Sequence, residues 1–406
     1  MRVLQINAVY EKFSTGRVAK ELHEYLLKCD MESYVASPNL NGLNHNGIQI
    51  GNRIDSKVHA FLSRIWGLQG YFSYLTTKQF LKQIKALEPD VVILHNLHNN
   101  CINLQLLLKF LAKESMPTVL VLHDSWFYTG KCVYYIEDVC DGWKYSCGNC
   151  PALRKGNKSW LFDRSRKMLA DKRKWFSKIS RLGVIGVSQW VTDDASISIL
   201  KEAKIIRCIY NWIDLKLFAP RDREELKAKA GKSGKFIILG VAMSWNHLKG
   251  SQIFHDLADL LSDSCEIWLV GENSEIKNTN DKINYIGIVN DVKKLAELYA
   301  MADVFVNPSI QETFGKTTAE AMACGTPVVA YDGTATTELV GRDEACGYLI
   351  NEMNAQKFCE KINVVLKKGV EAYATACRNR AEELFDKEKN IKEYLEIIKE
   401  LQESKG

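Results

Sequence analysis

Apolar residues in this 406-residue chain cluster in short runs, and the stretches between the runs carry apolar positions at helical spacing. Short apolar runs bounded by turn residues predict buried strands of parallel sheets, and the intervening amphipathic stretches predict helices. Arg2 to Asn7 is the first predicted strand, and Phe13 to Leu27 reads as a turn followed by an amphipathic helix. Pro89 to His98, Thr118 to Asp124 and Gly183 to Ser188 predict further strands, the last followed by a helix from Val191. Residues 40 to 56 are rich in Asn and Gly without helical period and predict a surface loop. Ala60 to Leu87 carries Phe61, Trp66, Tyr71, Phe72, Tyr74 and Phe80 at mixed helical spacing, as expected of core or of a partner surface.

The second half repeats the alternation. Pro220 to Gly234 reads as a helix and linker, and Phe236 to Val241 and Glu266 to Val270 as buried strands. Asp291 to Met301 predicts a helix, Gly347 to Ile350 a last strand, and Glu371 to Leu401 a strongly helical end. Between two apolar runs, Val304 to Val306 and Val328 to Tyr331, lies Ser309 to Pro327, SIQETFGKTTAEAMACGTP. A loop that turns at Gly315 and opens a helix near Lys316 aims unpaired amides and the positive end of a helix dipole at one spot, which suits an anion. Glu312 precedes that helix and Glu320 lies about one turn inside it, so two carboxylates can face a ligand's hydroxyls. A molecule carrying a diphosphate, a ribose and a sugar satisfies both kinds of group.

The pair Glu312 and Glu320, the latter opening Glu-Ala-Met-Ala-Cys-Gly-Thr-Pro-Val-Val-Ala, resembles the signature of the retaining glycosyltransferase family 4. That resemblance implies a GT-B fold: α/β, with two doubly wound Rossmann-like domains facing a cleft. It further implies that Glu320 holds the donor ribose and that Glu312 lies near the donor sugar. Gly315, Lys316, Thr317 and Thr318 would cradle the diphosphate, with Thr313 and Phe314 among the donor-binding residues, and backbone groups around Gly287 in Ile283 to Ile288 would read the base. Family members place an Arg and a Lys five residues apart against the diphosphate; Lys249 matches the Lys, whereas Ser244 stands at the Arg position. Ile209 to Phe218 resembles the family's domain-crossing element, with Trp212 where a Gly is usual and with Asn211 and Asp214 still matching. The expected organisation is an acceptor domain over 1–210, a nucleotide-sugar donor domain over 211–385, and a helix over 386–406 that crosses back to the first domain.

Polar residues at the carboxyl ends of parallel strands point to where such sheets bind ligands. His95, Asn96 and His98 end one predicted strand, and His123 and Asp124 end another. The resemblance implies that His123 approaches the donor sugar and acceptor; the alternative is a His satisfied by neighbouring backbone. Gly16 and Arg17 fall at the first helix entry, where a Gly admits a ligand to the backbone and an Arg supplies charge, although a bare turn with a surface Arg reads equally well.

Composition is that of ordinary globular protein, 46% hydrophobic and 25% charged, long enough for two cores. No apolar stretch reaches eighteen residues and the N-terminus reads as a strand, so the expected location is cytoplasmic, at the inner face of the plasma membrane. The net charge of +5 conceals a split: residues 1–210 hold 29 Lys and Arg against 18 Asp and Glu, leaving 25 against 31 in the remainder. A basic first half suggests an anionic partner: a membrane surface contacted peripherally, a lipid-diphosphate acceptor or an acidic glycan. No nucleic-acid motif accompanies the charge. Arg154 to Arg181 holds eleven basic residues with apolar positions near helical spacing, which suits a helix on a membrane interface or one packing its Trp face on the core.

Twelve cysteines without an export signal suggest thiols or metal ligands, and Cys29, Cys208, Cys265, Cys324 and Cys359 sit in apolar contexts expected of the core. Cys132, Cys140, Cys147 and Cys150 could close a tetrahedral structural zinc site, or remain reduced or redox-paired. A four-thiolate shell leaves no open position for catalysis, and with no Asp-x-Asp motif and a helix end to meet the diphosphate, no cofactor is expected to be required in the reaction. The expected reaction is transfer of a hexose-like unit, with retention, from a nucleoside-diphosphate sugar, most simply UDP-linked, to a hydroxyl of a glycan or lipid-linked acceptor in surface polysaccharide synthesis. His123, Glu312 and Lys249 would carry it, Glu312 positioning the donor and Lys249 offsetting the leaving charge. A sugar-nucleotide epimerase of the same architecture and a non-enzymatic nucleotide-sugar binder are the alternatives. A dinucleotide oxidoreductase would want a Gly-x-Gly-x-x-Gly that residues 7–16 lack.

Overall fold

The computed structural model describes residues 1–40, 45–273 and 280–404. The chain forms two compact units, one of Met1–Ile209 with Ile391–Gly406 and one of Tyr210–Asn390.

The first unit is built on a seven-stranded parallel sheet: β1 (Arg2–Ile6), β2 (Glu32–Ser37), β3 (Gly47–Gln49), β4 (Val91–Leu94), β5 (Thr118–Leu122), β6 (Leu182–Gly186) and β7 (Ile205–Cys208), ordered 3-2-1-4-5-6-7. Strands β4, β5 and β6 are buried at every position, which is why they read as unbroken apolar runs. Residues 40–56 are not a plain loop: Gly47–Gln49 pairs with Val35–Ser37, and Asn52 caps the helix Arg53–Trp66 in a capping box with Asp55; positions 41–44 of that stretch lie outside the described residues. Arg154 to Arg181 is helical only over Ser165–Phe176, whose Met168, Leu169, Trp175 and Phe176 are buried, so that helix packs its Trp face on the core, while Trp160, Leu161 and Phe162 ahead of it are exposed. Cys29, expected inside, is exposed.

The helical end is two helices, Glu371–Phe385 and Lys387–Glu403, separated at Asp386, whose backbone is extended. The second contributes Ile391 onward to the first unit. Ile397 and Leu401 lie over Gly183 of β6, where an added Cβ would come within 2.9 Å of Leu401. Arg207 of β7 donates to Glu400 at 2.8 Å.

The second unit holds a six-stranded parallel sheet: β8 (Phe236–Trp245), β9 (Cys265–Asn273), β10 (Ile283–Gly287), β11 (Val304–Asn307), β12 (Val328–Tyr331) and β13 (Gly347–Ile350), ordered 10-9-8-11-12-13. From β8 the chain winds outward through β9 to β10, and from β11 outward through β12 to β13. The two directions part between β8 and β11, and at such a switch point the loops leaving the carboxyl ends diverge and open a crevice. In the first unit the corresponding point lies between β1 and β4.

The loops leaving β8 and β11 are tied together. Leu248 O accepts from Ile310 N at 3.0 Å, and Gly250, at φ +66°, lies so close to Pro308 that an added Cβ would stand 2.6 Å from its carbonyl oxygen. Gly250→Ala is therefore expected to combine left-handed strain with a backbone clash and to destabilise the second unit by roughly 1–3 kcal/mol. Urea unfolding followed by tryptophan fluorescence would show a lower midpoint; an unchanged midpoint would contradict the close approach.

Candidate active site

In the second unit the residues expected to act together follow the switch-point strands. Asn246, after β8, caps a short turn through its side chain, accepting from Lys249 N at 3.2 Å, and so presents Lys249. After β11, Glu312 is held by its own backbone, its amide donating to Thr334 Oγ1 at 2.8 Å and its carbonyl accepting from Ala335 N at 3.3 Å. These anchors bring Lys249 Nζ to 2.5 Å from Glu312 Oε1 and 3.3 Å from Ser309 Oγ. The ion pair joins two residues that the sequence assigned to different parts of a ligand. Both side chains keep some exposure, 33% and 18%, so a ligand can reach them.

The helix Lys316–Ala323 starts at Gly315, whose φ of +85° needs no Cβ, and no side chain caps it. Its first turn holds no acidic residue, so the dipole's positive end stays uncompensated by the helix itself. Thr318 is buried and accepts from Asn307 Nδ2 at 3.0 Å, fixing the helix start to the end of β11. Phe314 is only 4% exposed and packs edge-to-face on Phe385, so its side chain anchors the loop and its role as a ligand contact narrows to the backbone. Glu320 is buried, and Tyr299 OH donates to its Oε2 at 3.0 Å. Burial, and then the Glu320 carboxylate, push the Tyr299 phenol well above its ordinary value, so its hydroxyl remains a donor. Tyr299 went unnoticed in the sequence because an aromatic residue on an amphipathic helix reads as core. Gly287 closes β10 at φ +76° with open space around it, and Ser244 is paired along β8 with Glu272.

In the first unit, His95 follows β4 and His123 follows β5, and the two rings stack at 5.3 Å with His95 Nδ1 3.0 Å from His123 Nε2. His95 Nε2 is in turn 3.0 Å from Gln5 Oε1 on β1. Burial lowers the His123 pKa to about 4 against the opposing pull of Asp124, and burial holds His95 well below its ordinary value, so both rings are neutral near pH 7. Burial disfavours the Asp124 charge, but His98 Nε2 at 2.9 Å and Trp126 N at 2.8 Å hold its carboxyl below the ordinary value. The reading of His123 as satisfied by backbone alone is replaced by a side-chain relay. Gly16 is buried within the helix Phe13–Lys28 against Tyr10 and Glu11, and Arg17 is exposed. Ser188, expected as a polar strand end, is fully buried and caps the helix Gln189–Ile197.

Cys132, Cys140, Cys147 and Cys150 line one small cavity of about 20 Å³, with Cys132 hydrogen-bonded to Cys150. Among the described residues no three His, Cys, Asp or Glu side chains are arranged to hold a metal ion, and all four cysteines are free thiols, as in the reduced reading. Two buried lysines flank the loop: Lys131 donates to the carbonyls of Ala152 and Leu153, and Lys172 to those of Trp126 and Thr129 while lying over the Trp126 ring.

Residues 15–217 match the family model described as Glycosyltransferase Family 4, and residues 235–368 the model described as Glycosyl transferases group 1. Over 358 residues the chain is 26% identical to WcaC of Escherichia coli K12, named as a putative colanic acid biosynthesis glycosyl transferase, covering 84% of this chain and 85% of that protein. It is 29% identical over 212 residues to the N,N'-diacetylbacillosaminyl-diphospho-undecaprenol alpha-1,3-N-acetylgalactosaminyltransferase of Campylobacter jejuni, covering 49% of this chain and 55% of that one. Among solved structures, HepE of Anabaena in complex with UDP superposes with a TM-score of 0.67 at 18% identity, covering 98% of this chain and all of that one. Sucrose-phosphate synthase of Thermosynechococcus elongatus gives 0.70 at 16%, covering 98% of both. These likenesses establish the GT-B fold.

The neutral histidines set an acid limit. An unfolded chain protonates His123 near pH 6.5, whereas the folded chain resists until about 4, so the unfolded state binds more protons between those values. The stabilising contribution is whole above pH 6.5 and is lost as pH falls toward 4, by on the order of 3 kcal/mol from His123 alone. Urea midpoints of the first unit should fall over that window, and His123→Gln should flatten part of the fall; a pH-independent midpoint would refute it.

Proposed function

Because this chain belongs to glycosyltransferase family 4 and is a glycosyltransferase of polysaccharide or glycolipid biosynthesis, we propose that it transfers a hexose-like unit from a UDP-sugar, with retention, to a hydroxyl of a lipid-linked or growing glycan acceptor. The observation that carries this reading is the cluster at the second unit's switch point: Lys249 paired with Glu312 beside a helix start that no side chain caps.

In the proposed complex the donor diphosphate lies against the amides of Gly315, Lys316, Thr317 and Thr318, with Thr313 beside them. Lys249 turns from Glu312 toward a phosphate oxygen, and Glu312 then accepts from hydroxyls of the sugar. Glu320 accepts from the ribose, held in place by Tyr299. Backbone around Gly287, at the part-buried end of β10 where an added Cβ would meet open space, reads the base. As the glycosidic bond breaks, negative charge grows on the diphosphate, and preorganised amides and Lys249 stabilise it in a site already arranged for it. The departing phosphate takes the acceptor proton as the new bond forms on the same face of the sugar. In the first unit, His123 is assigned to the acceptor hydroxyl; as a neutral ring it exchanges hydrogen bonds without adding charge. Gly16 and Arg17, at the start of that unit's first helix, are assigned to the leaving nucleotide. Family members are generally metal-independent, and no step here is routed through a metal. A UDP-sugar agrees with the UDP bound by HepE, and a diphospholipid acceptor with the acceptor named for the Campylobacter relative. The epimerase alternative is not favoured, because the chain's relatives are transferases. No helix among the described residues is long and apolar enough to cross a membrane, so the acceptor lipid would be met at a surface.

Thermal shift and calorimetry against UDP, GDP, ADP and NAD test the donor. UDP is expected to bind, NAD not, and Glu320→Ala to weaken UDP by roughly 10- to 100-fold through loss of a charged hydrogen-bond partner. Glu312→Gln is expected to leave UDP affinity within a few-fold while slowing UDP release from the donor by about 100-fold or more. Undiminished UDP binding by Glu320→Ala would remove the ribose assignment, and preference for GDP or ADP would remove the uridine one.

A further inference from the structure

We propose that the helix Arg53–Trp66, together with residues 158–164, forms a seat for an anionic lipid bilayer on the first unit. The helix is turned inside out. Its buried residues are His59 and Ser63, with His59 Nδ1 2.7 Å from Ser73 Oγ and Ser63 Oγ donating to Leu68 O at 3.3 Å. Its outward stripe is apolar: Ile54 is 72% exposed, Val58 51% and Phe61 53%, at positions i, i+4 and i+7, and Trp66 ends the helix at 48%. A water-facing helix carries the opposite pattern, so this face is built for a non-aqueous neighbour.

The adjoining segment continues the same surface. Trp160 meets Phe61 edge-to-face at 6.1 Å, Phe162 stacks on Trp66 at 5.7 Å, and Leu161 between them is 66% exposed. The rings are held before any partner arrives, so little rotamer freedom remains to be lost on binding. The Arg64 guanidinium lies over Trp160 and that of Arg164 over Phe162, and Arg53, Lys57 and Lys158 are exposed around the rings. Two carboxylates share this stretch, and both are engaged locally: Asp55 accepts from Asn52 N, and Asp163 from Ser165 and Cys150 N. Beside the rings a recess of about 60 Å³ is lined by Arg64, Lys131, Lys158, Asn100 and Ser159 and by no carboxylate, which suits a headgroup phosphate.

Aromatic rings at the level of lipid headgroups, with Lys and Arg reaching outward from an apolar stripe, are the chemistry of interfacial binding. A protein partner is less well matched, because Lys is depleted from protein interfaces and all the unengaged charge here has one sign. Membrane contact, expected of a helix within Arg154 to Arg181, is thus assigned to the helix Arg53–Trp66 and to residues 158–164, ahead of the helix Ser165–Phe176. This proposal does not depend on the donor assignment.

Flotation of the full-length protein tests it, using vesicles of phosphatidylcholine and of phosphatidylcholine with phosphatidylglycerol. The protein should float with the anionic vesicles, with a blue shift of tryptophan emission, and remain below with phosphatidylcholine alone. Phe61→Ser with Leu161→Ser should weaken binding at least tenfold, and Lys57→Glu with Arg64→Glu should do the same and abolish the dependence on salt. Circular dichroism and UDP affinity of all variants should match the parent, which separates lost docking from lost folding. Inorganic phosphate at millimolar concentration should not displace the protein from vesicles; if it does, the recess binds free phosphate and the bilayer assignment fails. Binding unchanged in both double variants overturns the proposal, as does a dimer in solution that these variants dissolve without any vesicle binding.

Discussion

The contact between the loops that leave β8 and β11 constrains everything proposed for the second unit. Gly250 lies on Pro308 with no room for a side chain, and Leu248 O receives Ile310 N, so the two loops cannot move independently. That tie places Lys249 against Glu312. A part-exposed ion pair of this kind adds little to stability, because water competes for both charges. It is therefore cheap to open, and an arriving diphosphate can take over the lysine while sugar hydroxyls take over the carboxylate. The uncapped helix start beside it works in the same direction, since amides that bond to water in the free protein lose little in turning to phosphate oxygens.

The first unit manages charge in the opposite way. Its polar groups at the strand ends are buried and linked, Gln5 to His95 to His123, and the histidines are kept neutral by burial. A buried neutral ring is fixed in place but leaves the local field small, which suits a group that must meet an uncharged hydroxyl. Nearby, Lys172 and Lys131 are buried against carbonyl oxygens, and burial pushes the Lys172 amine down to about 7. The cysteine loop is held by such polar contacts and by packing of Trp143 against Tyr128 and Tyr135.

Helix Arg53–Trp66 shows how period and orientation are separate pieces of information. Its spacing of Ile54, Val58 and Phe61 is that of a core-facing stripe, yet the stripe faces out. Inside the unit that face holds two polar side chains, His59 paired through Nδ1 with Ser73 while its Nε2 has no hydrogen-bond partner, and Ser63 paired with Leu68 O. Each unsatisfied buried polar group costs about 1–3 kcal/mol, so bonds of this kind can fix which face goes in.

The chain's own letters determined the alternation of strands and helices, because strands buried on both faces, such as β4, β5 and β6, read as unbroken apolar runs. They also determined the loop and helix from Ser309 to Pro327, since Glu312, Gly315 and Glu320 are close in sequence and their spacing translates directly into geometry. They misjudged residues 40–56, where a three-residue strand is too short to carry a period, and left the four cysteines between a metal shell and free thiols, because spacing alone does not fix side-chain positions. Only the tertiary structure decided the pairing of Lys249 with Glu312, of Tyr299 with Glu320, and of His95 with His123. The partners in each pair stand on separate elements, and nothing in one element's sequence reports what a neighbouring strand order brings against it.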